Sequence, residues 1–86
     1  MYYPVLDMKA TGEKIKELRT KKQISVETIS SYMGFGSAQA VYKWQAGKSL
    51  PTVDNLYALS RLLEVEIEDI LVEVEHEEEP CYEPAM

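Results

Sequence analysis

Glycine and proline divide the middle of this 86-residue sequence into short segments, and this division limits the fold more than any other feature. Gly34 and Gly47 each follow a run in which apolar residues recur at helical spacing. Glycine readily adopts the left-handed backbone conformation with which many helices end. Pro51 prevents the second run from continuing, because proline lacks a backbone N–H group. The pattern predicts short helices joined by tight turns.

Residues that can cap helices set the expected boundaries. The first helix is predicted from about Gly12 to Lys21, and the second is expected to end near Tyr32 or Met33. A fifth short helix or turn follows. We therefore predict that the fold class is all-α, with one small core. The expected capping residues are Thr11, Ser25, Ser37 and Thr52. The residues expected to face the core are Ile15, Leu18, Val26, Ile29, Met33, Val41, Trp44, Val53, Leu56, Leu59, Leu62, Leu63, Ile67, Ile70 and Leu71.

The sequence offers little from which to build an active site or a membrane span. It has no Gly-rich phosphate loop, no His-Glu-x-x-His motif and no Cys-x-x-Cys pair, so we predict a protein that is not an enzyme and uses no cofactor. No apolar run approaches the roughly 18 residues of a transmembrane helix, and we expect no signal peptide. The single cysteine, Cys81, rules out an intramolecular disulfide and favours a reducing cytoplasm.

Charge is distributed unevenly along the chain. The net charge is −6, yet residues 9–48 contain eight Lys or Arg against three Glu, a net charge of +5. Residues 64–86 contain ten acidic side chains and no Lys or Arg. Local potential rather than net charge governs contact with a charged partner, so the basic part of an acidic chain can still suit phosphate.

The most specific motif lies between the second and fourth predicted helices. Its residues are Ser37, Val41, Trp44 and Gly47 at their mutual spacing, then the run Lys48-Ser-Leu-Pro51, then the leucines of the fourth helix. Together they resemble the Cro and phage-repressor family of helix-turn-helix domains, over about residues 11–71. The resemblance implies a five-helix fold that binds duplex DNA sequence-specifically, with a recognition helix that starts at Ser37 and lies in the major groove.

The resemblance also implies which residues contact DNA. Glutamine can form two hydrogen bonds with adenine, and lysine can reach guanine, which suits readout from this helix. Lys and Ser contacts to phosphate would fix the register without reading sequence. The residues implied to face the bases are Ala38, Gln39 and Lys43. The residues implied to lie near phosphates are Ser25, Ser37, Tyr42, Lys48, Ser49 and Arg19.

Two departures from the family pattern stand out. The turn Gly-Phe-Gly-Ser between Gly34 and Ser37 is one residue longer than the usual form, which can tilt the recognition helix and move the base-contacting positions by one. The family usually has Glu after the tryptophan of this helix, whereas this chain has Gln45, and Arg19 is its expected partner. A neutral hydrogen bond in place of an ion pair would leave Arg19 freer to face a phosphate.

The expected function is a bacterial or phage-type transcriptional regulator that binds double-stranded DNA as a homodimer. The alternative is an antitoxin-like or other protein-binding module whose acidic tail contacts a partner protein. A salt-dependent footprint on DNA would distinguish the first from the second. Neither hypothesis involves a membrane.

The two ends of the chain flank the predicted domain, residues 11–72, as an arm of residues 1–10 and an acidic tail of residues 73–86. The apolar residues 3–6 and 72–74 either pair as a two-stranded ribbon or remain as two frayed ends. The tail is expected to be disordered and either serves solubility, competes with DNA for the basic surface or binds a protein. His76 and Cys81 with neighbouring glutamates match no tetrahedral metal-site spacing, and we predict no metal site.

Overall fold

A computed structural model describes residues 1–75, which fold into five α-helices around one core. This architecture confirms the predicted fold class. None of the helices in the described part of the chain is both long and apolar enough to span a membrane. The helices are α1 (Met8–Lys21), α2 (Val26–Met33), α3 (Gln39–Gln45), α4 (Val53–Leu63) and α5 (Ile67–Ile70).

The core is formed by apolar side chains from all five helices. Trp44 of α3 is 4 % exposed, and the ring of Phe35 meets it edge-on with the ring centroids 5.9 Å apart. Val53 was expected in the core, but its side chain, in the first turn of α4, is 82 % exposed. The buried apolar residues are Ile15, Val26, Ile29, Val41, Trp44, Leu59, Leu63 and Ile70.

The first helix begins earlier than the sequence predicted. Asp7, not Thr11, is its N-cap: the Asp7 carboxylate accepts a hydrogen bond from the backbone N–H of Ala10 at 2.9 Å. Thr11 lies fully buried inside α1, and its hydroxyl accepts a hydrogen bond from the backbone N–H of Val72 at 3.0 Å. Both residue types cap helices well, and the tertiary contact with Val72 decides between them. The last three residues of the predicted arm therefore belong to α1.

A glycine inside α1 allows the helix to pass very close to α3. Gly12 is buried, and a Cβ atom at this position would lie 2.2 Å from the backbone oxygen of Trp44. Glycine inside a helix costs roughly 1 kcal/mol relative to alanine, so the close approach is the physical reason for it. Gly47, just after α3, adopts φ of +77° and packs in the same way against the backbone of Lys9.

The two ends of the described chain meet as an antiparallel pair. Leu6 and Glu73 lie opposite each other in a single bridge. The backbone N–H of Asp7 donates to the carbonyl of Val72, and that of Val74 donates to the carbonyl of Val5, both at 2.7 Å. The ribbon alternative is thus realised over a short stretch. Residues 76–86, the greater part of the predicted tail, lie outside the described residues.

Candidate nucleic-acid interface

The second and third helices form the predicted helix-turn-helix. Ser25 caps α2, as expected, by accepting a hydrogen bond from the backbone N–H of Thr28 at 3.0 Å. Gly34 ends α2 with φ of +78°, the left-handed conformation that the sequence predicted. The next residue, Phe35, donates its backbone N–H to the carbonyl of Ser30 at 2.9 Å and turns the chain toward α3.

The predicted recognition helix is α3, and it does not start at Ser37. Its N-cap is Ala38 and its first residue is Gln39, so the boundary lies one residue later than predicted. The Ser37 hydroxyl accepts only a long hydrogen bond, 3.4 Å, from the backbone N–H of Gln39. The lengthened turn is the reason, because Gly36 and Ser37 remain in the bend before the helix. Ala38, predicted to face bases, is half-buried and packs against the core.

One face of α3 is anchored and the opposite face is free. Val41 is fully buried and Trp44 nearly so, which fixes the orientation of the helix about its axis. Gln39 and Lys43 are exposed and four residues apart, so their side chains lie on the same side of the helix. Tyr42 is 52 % exposed beside them. The polar face thus combines three of the predicted contact residues on a short, firmly seated helix.

Arg19 connects the first helix to the recognition helix. Its Nε donates to the Oε1 of Gln45 at 2.6 Å, which confirms the predicted pair. Its Nη1 donates to the carbonyl of Ile24 at 3.2 Å. Both acceptors are neutral, and within residues 1–75 Arg19 forms no ion pair. The guanidinium charge is held in place without being neutralised.

Two further lysines, Lys48 and Lys9 of α1, lie near the C-terminal end of α3. Lys48 is exposed, and its backbone N–H donates to the carbonyl of Lys43 at 3.0 Å, so both residues belong to the same turn. Ser49 is half-buried next to Lys48. Lys9 of α1 was not among the predicted contacts, yet its backbone packs against Gly47, the residue before Lys48. Recognising Asp7 as the N-cap in the sequence would have placed Lys9 in α1 and so indicated this contact.

We call Lys9, Lys43 and Lys48 the α3 lysine group. All three side chains are exposed, and none forms an ion pair in the described part of the chain. The ion pair that the structure does contain, between Lys22 and Glu64, joins the end of α1 to the end of α4. The hydrogen bond and charge of Lys22 hold the pKa of the Glu64 carboxyl below its usual value. The lysines around α3 are therefore not paired with any carboxylate of residues 1–75.

The predicted contact residues are only partly brought together. Gln39, Tyr42 and Lys43 lie on α3 and Lys48 in the turn that follows it, whereas Ser25 lies at the start of α2. The hydroxyl of Ser25 is already engaged with the backbone and hydroxyl of Thr28. Of the residues weighed for a metal site, His76 and Cys81 lie outside the described residues. Within residues 1–75 no three His, Cys, Asp or Glu side chains converge as metal ligands would.

Comparison with known proteins places this geometry in a family. A sequence profile described as Helix-turn-helix matches residues 15–70. The chain is 32 % identical over 60 residues to the HTH-type transcriptional activator BcrR of Enterococcus faecalis. That similarity covers 70 % of this chain and 29 % of BcrR, so the chain spans less than a third of the length of this relative.

Two solved structures share the fold over most of the chain. One is the restriction-modification controller protein C.AhdI from Aeromonas hydrophila, with a TM-score of 0.67 and 26 % identity over 74 % of this chain and 96 % of that one. The other is the P22 c2 repressor in complex with a synthetic operator, with a TM-score of 0.65 and 30 % identity over 71 % of this chain and 91 % of that one.

The fold, the exposed polar face of α3 and these similarities define a helix-turn-helix domain of the class found in DNA-binding transcriptional regulators. The family and its structural neighbours are regulators rather than enzymes. More particularly, the chain belongs to the helix-turn-helix family whose profile covers residues 15–70. The resemblance to phage repressors seen in the sequence is thereby confirmed.

Proposed function

We propose that the chain binds a specific double-stranded DNA sequence with the exposed face of α3 in the major groove. The observation that carries this proposal is the pairing of Gln39 and Lys43 on the free side of a helix whose other side is anchored by Trp44. Gln39 hydrogen-bonds adenine and Lys43 hydrogen-bonds guanine. The half-buried Ala38 approaches the bases only through its methyl group, which suits contact with a thymine methyl.

Contacts to phosphate position α3 in the groove. Lys48 lies in the turn that follows α3, and Arg19 is fixed by its hydrogen bond to Gln45 with its charge unpaired. Such contacts add affinity without sequence information. The hydroxyl groups of the predicted set supply weaker, neutral hydrogen bonds at the edge of this surface. The phosphate-contacting set is Arg19, Ser25, Ser37, Tyr42, Lys48 and Ser49.

Two copies bind one operator, related by a two-fold axis. A seven-residue recognition helix reads only a few base pairs, and two such helices one DNA turn apart, about 34 Å, extend the site. Two-fold pairing of identical chains is the commonest symmetry of soluble oligomers. The P22 c2 repressor, with which the chain shares 30 % identity, was solved in complex with a synthetic operator.

Selection of binding sites from random duplex DNA tests this function. Gln39→Ala is expected to weaken binding to the selected operator by about 1–3 kcal/mol and to relax the preference at one base position. Thr20→Ala, at an exposed position on α1, is the control and should leave the selected sequence unchanged. The same base preference in Gln39→Ala as in the wild type would contradict the role of Gln39. A chain without any salt-dependent DNA binding would contradict the proposed function. That result is the one expected for the alternative, a module that binds protein alone.

A further inference from the structure

The C-terminal segment leaves the domain at a defined place. Val72 and Val74 are hydrogen-bonded to the backbone of residues 5–7, and the Thr11 hydroxyl accepts from Val72 inside the domain. The Tyr2 hydroxyl donates to the Glu73 carboxylate at 2.6 Å. Glu75 follows the residue paired with Val5, so the chain that continues beyond it starts beside the N-terminal residues that precede α1.

The first turn of α1 carries Lys9, a member of the α3 lysine group, and packs against Gly47, the residue before Lys48. Lys9 is two residues after Asp7, whose N–H is bonded to Val72. On the other side, a Cβ atom on Gly47 would lie 2.7 Å from the Cα atom of Lys9. Lys48 follows Gly47 directly and is bonded through its N–H to Lys43. Residues 5–7 and the first turn of α1 thus lie between the exit of the C-terminal segment and the lysines.

The segment has the length and the charge to reach these lysines. Residues 76–86 contain four glutamates and neither Lys nor Arg. Eleven residues span at most about 36–40 Å when extended, against about 21 Å for the whole of the 14-residue α1. The lysines of the α3 group are exposed and form no ion pair with any carboxylate of residues 1–75.

We propose that residues 76–86 bind the α3 lysine group of the same molecule and compete there with DNA phosphate. The inference rests on the proposed function, because it assumes that the lysine group contacts DNA. The segment places carboxylates where phosphates bind, so DNA has to displace it. The competition is electrostatic and weakens as the Debye length falls from about 30 Å at 0.01 M salt to about 8 Å at 0.15 M.

The test uses the full chain with Glu77, Glu78, Glu79 and Glu83 all replaced by Gln. Its affinity for a random-sequence duplex is compared with that of the wild type across a salt series. We expect binding about three- to tenfold tighter at 0.01 M salt and less than about twofold tighter at 0.15 M. Equal affinities at 0.01 M would overturn the proposal. A companion truncation ends after Glu75. This end point keeps the pairing of Glu73 and Val74 with the N-terminal residues, which a cut after Val72 would remove.

A second readout separates binding of the segment from general charge repulsion. In the absence of DNA at 0.01 M salt, the backbone amide resonances of Lys9, Gly47 and Lys48 should differ between the wild type and the glutamine variant. The differences should disappear at 0.15 M. Tighter DNA binding without any change in these amides would mean that the glutamates only repel DNA at a distance, and would overturn the proposal. Failure of both proteins to bind DNA would instead refute the proposed function, while the amide comparison would still report on the segment.

Discussion

The backbone of Gly12 touches the carbonyl of Trp44: a Cβ atom on Gly12 would lie 2.2 Å from the Trp44 oxygen and 2.7 Å from that of Gln45. The distance between α1 and α3 is therefore set by the absence of a side chain. Trp44 and Gln45 lie in the last turn of α3, and Gln45 is also the partner of Arg19. A residue distant from the exposed face of α3 thereby determines how that face is presented.

Gly12→Ala is expected to destabilise the fold. Alanine favours helix by about 1 kcal/mol over glycine, but its methyl group would collide with backbone that has no freedom to rotate away. Overpacking of this kind costs typically 1–3 kcal/mol, and occasionally more, so a net loss is predicted. Urea unfolding measures it. Gly36→Ala is the matched control, because nothing lies within 4 Å of a Cβ there, and it should leave stability nearly unchanged. A Gly12→Ala variant as stable as the wild type would show that α1 can move away from α3 without cost.

Lys48→Ala is expected to weaken binding to all DNA sequences alike. The side chain is exposed at the end of α3 without a carboxylate partner in the described residues, so it supplies charge rather than base readout. The slope of log K against log salt should fall by about one, the loss of one phosphate contact. Titrations of operator and random duplex at several salt concentrations measure this. A loss confined to the operator would instead assign Lys48 to base recognition.

Gln45→Glu is expected to stabilise the fold and to weaken DNA binding. Glutamate would pair its charge with the Arg19 guanidinium, now 2.6 Å from a neutral oxygen. A charged hydrogen bond contributes about 1.5–3 kcal/mol against about 0.5–1.5 kcal/mol for a neutral one, so a gain of about 1 kcal/mol is predicted. Neutralising Arg19 removes positive charge beside α3, which should lower the affinity for random duplex.

The comparison variant is Gln45→Ala, which removes the hydrogen bond without adding a charge. It should lower stability by about 0.5–1.5 kcal/mol and leave Arg19 uncompensated. Equal DNA affinities for the Glu and Ala variants at matched salt would show that the charge of Arg19 does not contribute to binding.

The Lys22–Glu64 pair should make stability depend on pH in the acid range. The pKa of Glu64 in the folded chain lies below its unfolded value, through its hydrogen bond to Lys22 and the attraction of that charge. Its stabilising contribution is therefore present above the unfolded pKa, about 4.3, and is lost as pH falls through the folded pKa. The difference in unfolding free energy between wild type and Lys22→Ala should shrink over this range. A difference that stays constant from pH 6 to pH 3 would contradict the pairing.

Local signals in the sequence predicted much of the candidate site. Ser25 caps α2, Gly34 ends it, and Val41 and Trp44 are buried, because each depends on a short stretch of chain. The partnership of Arg19 with Gln45 followed from the family resemblance.

What the sequence did not predict depends on contacts between distant residues. The start of α1 was misplaced because Asp7 and Thr11 are both good caps, and only the bond between Thr11 and Val72 distinguishes them. The start of α3 moved by one residue because Gly36 and Ser37 remain in the bend before the helix, which the capping preference of Ser37 does not reveal. Val53 matched the helical period of its neighbours, but periodicity alone does not show which residues of a first turn other elements cover, and Val53 is 82 % exposed.

The bond between Thr11 and Val72 joins residues 61 positions apart, which gives the chain ends a particular place in the order of folding. Closing this loop costs more conformational entropy than closing the shorter separations over which α1 to α4 gain contacts. We expect the ribbon of residues 5–7 and 72–74 to form after the helices have collapsed and to open first in the native state. Hydrogen exchange at Val74 should then be faster than at Ile29 or Leu59. The domain would then open first at residues 5–7 and 72–74, while α3 stays packed against the core.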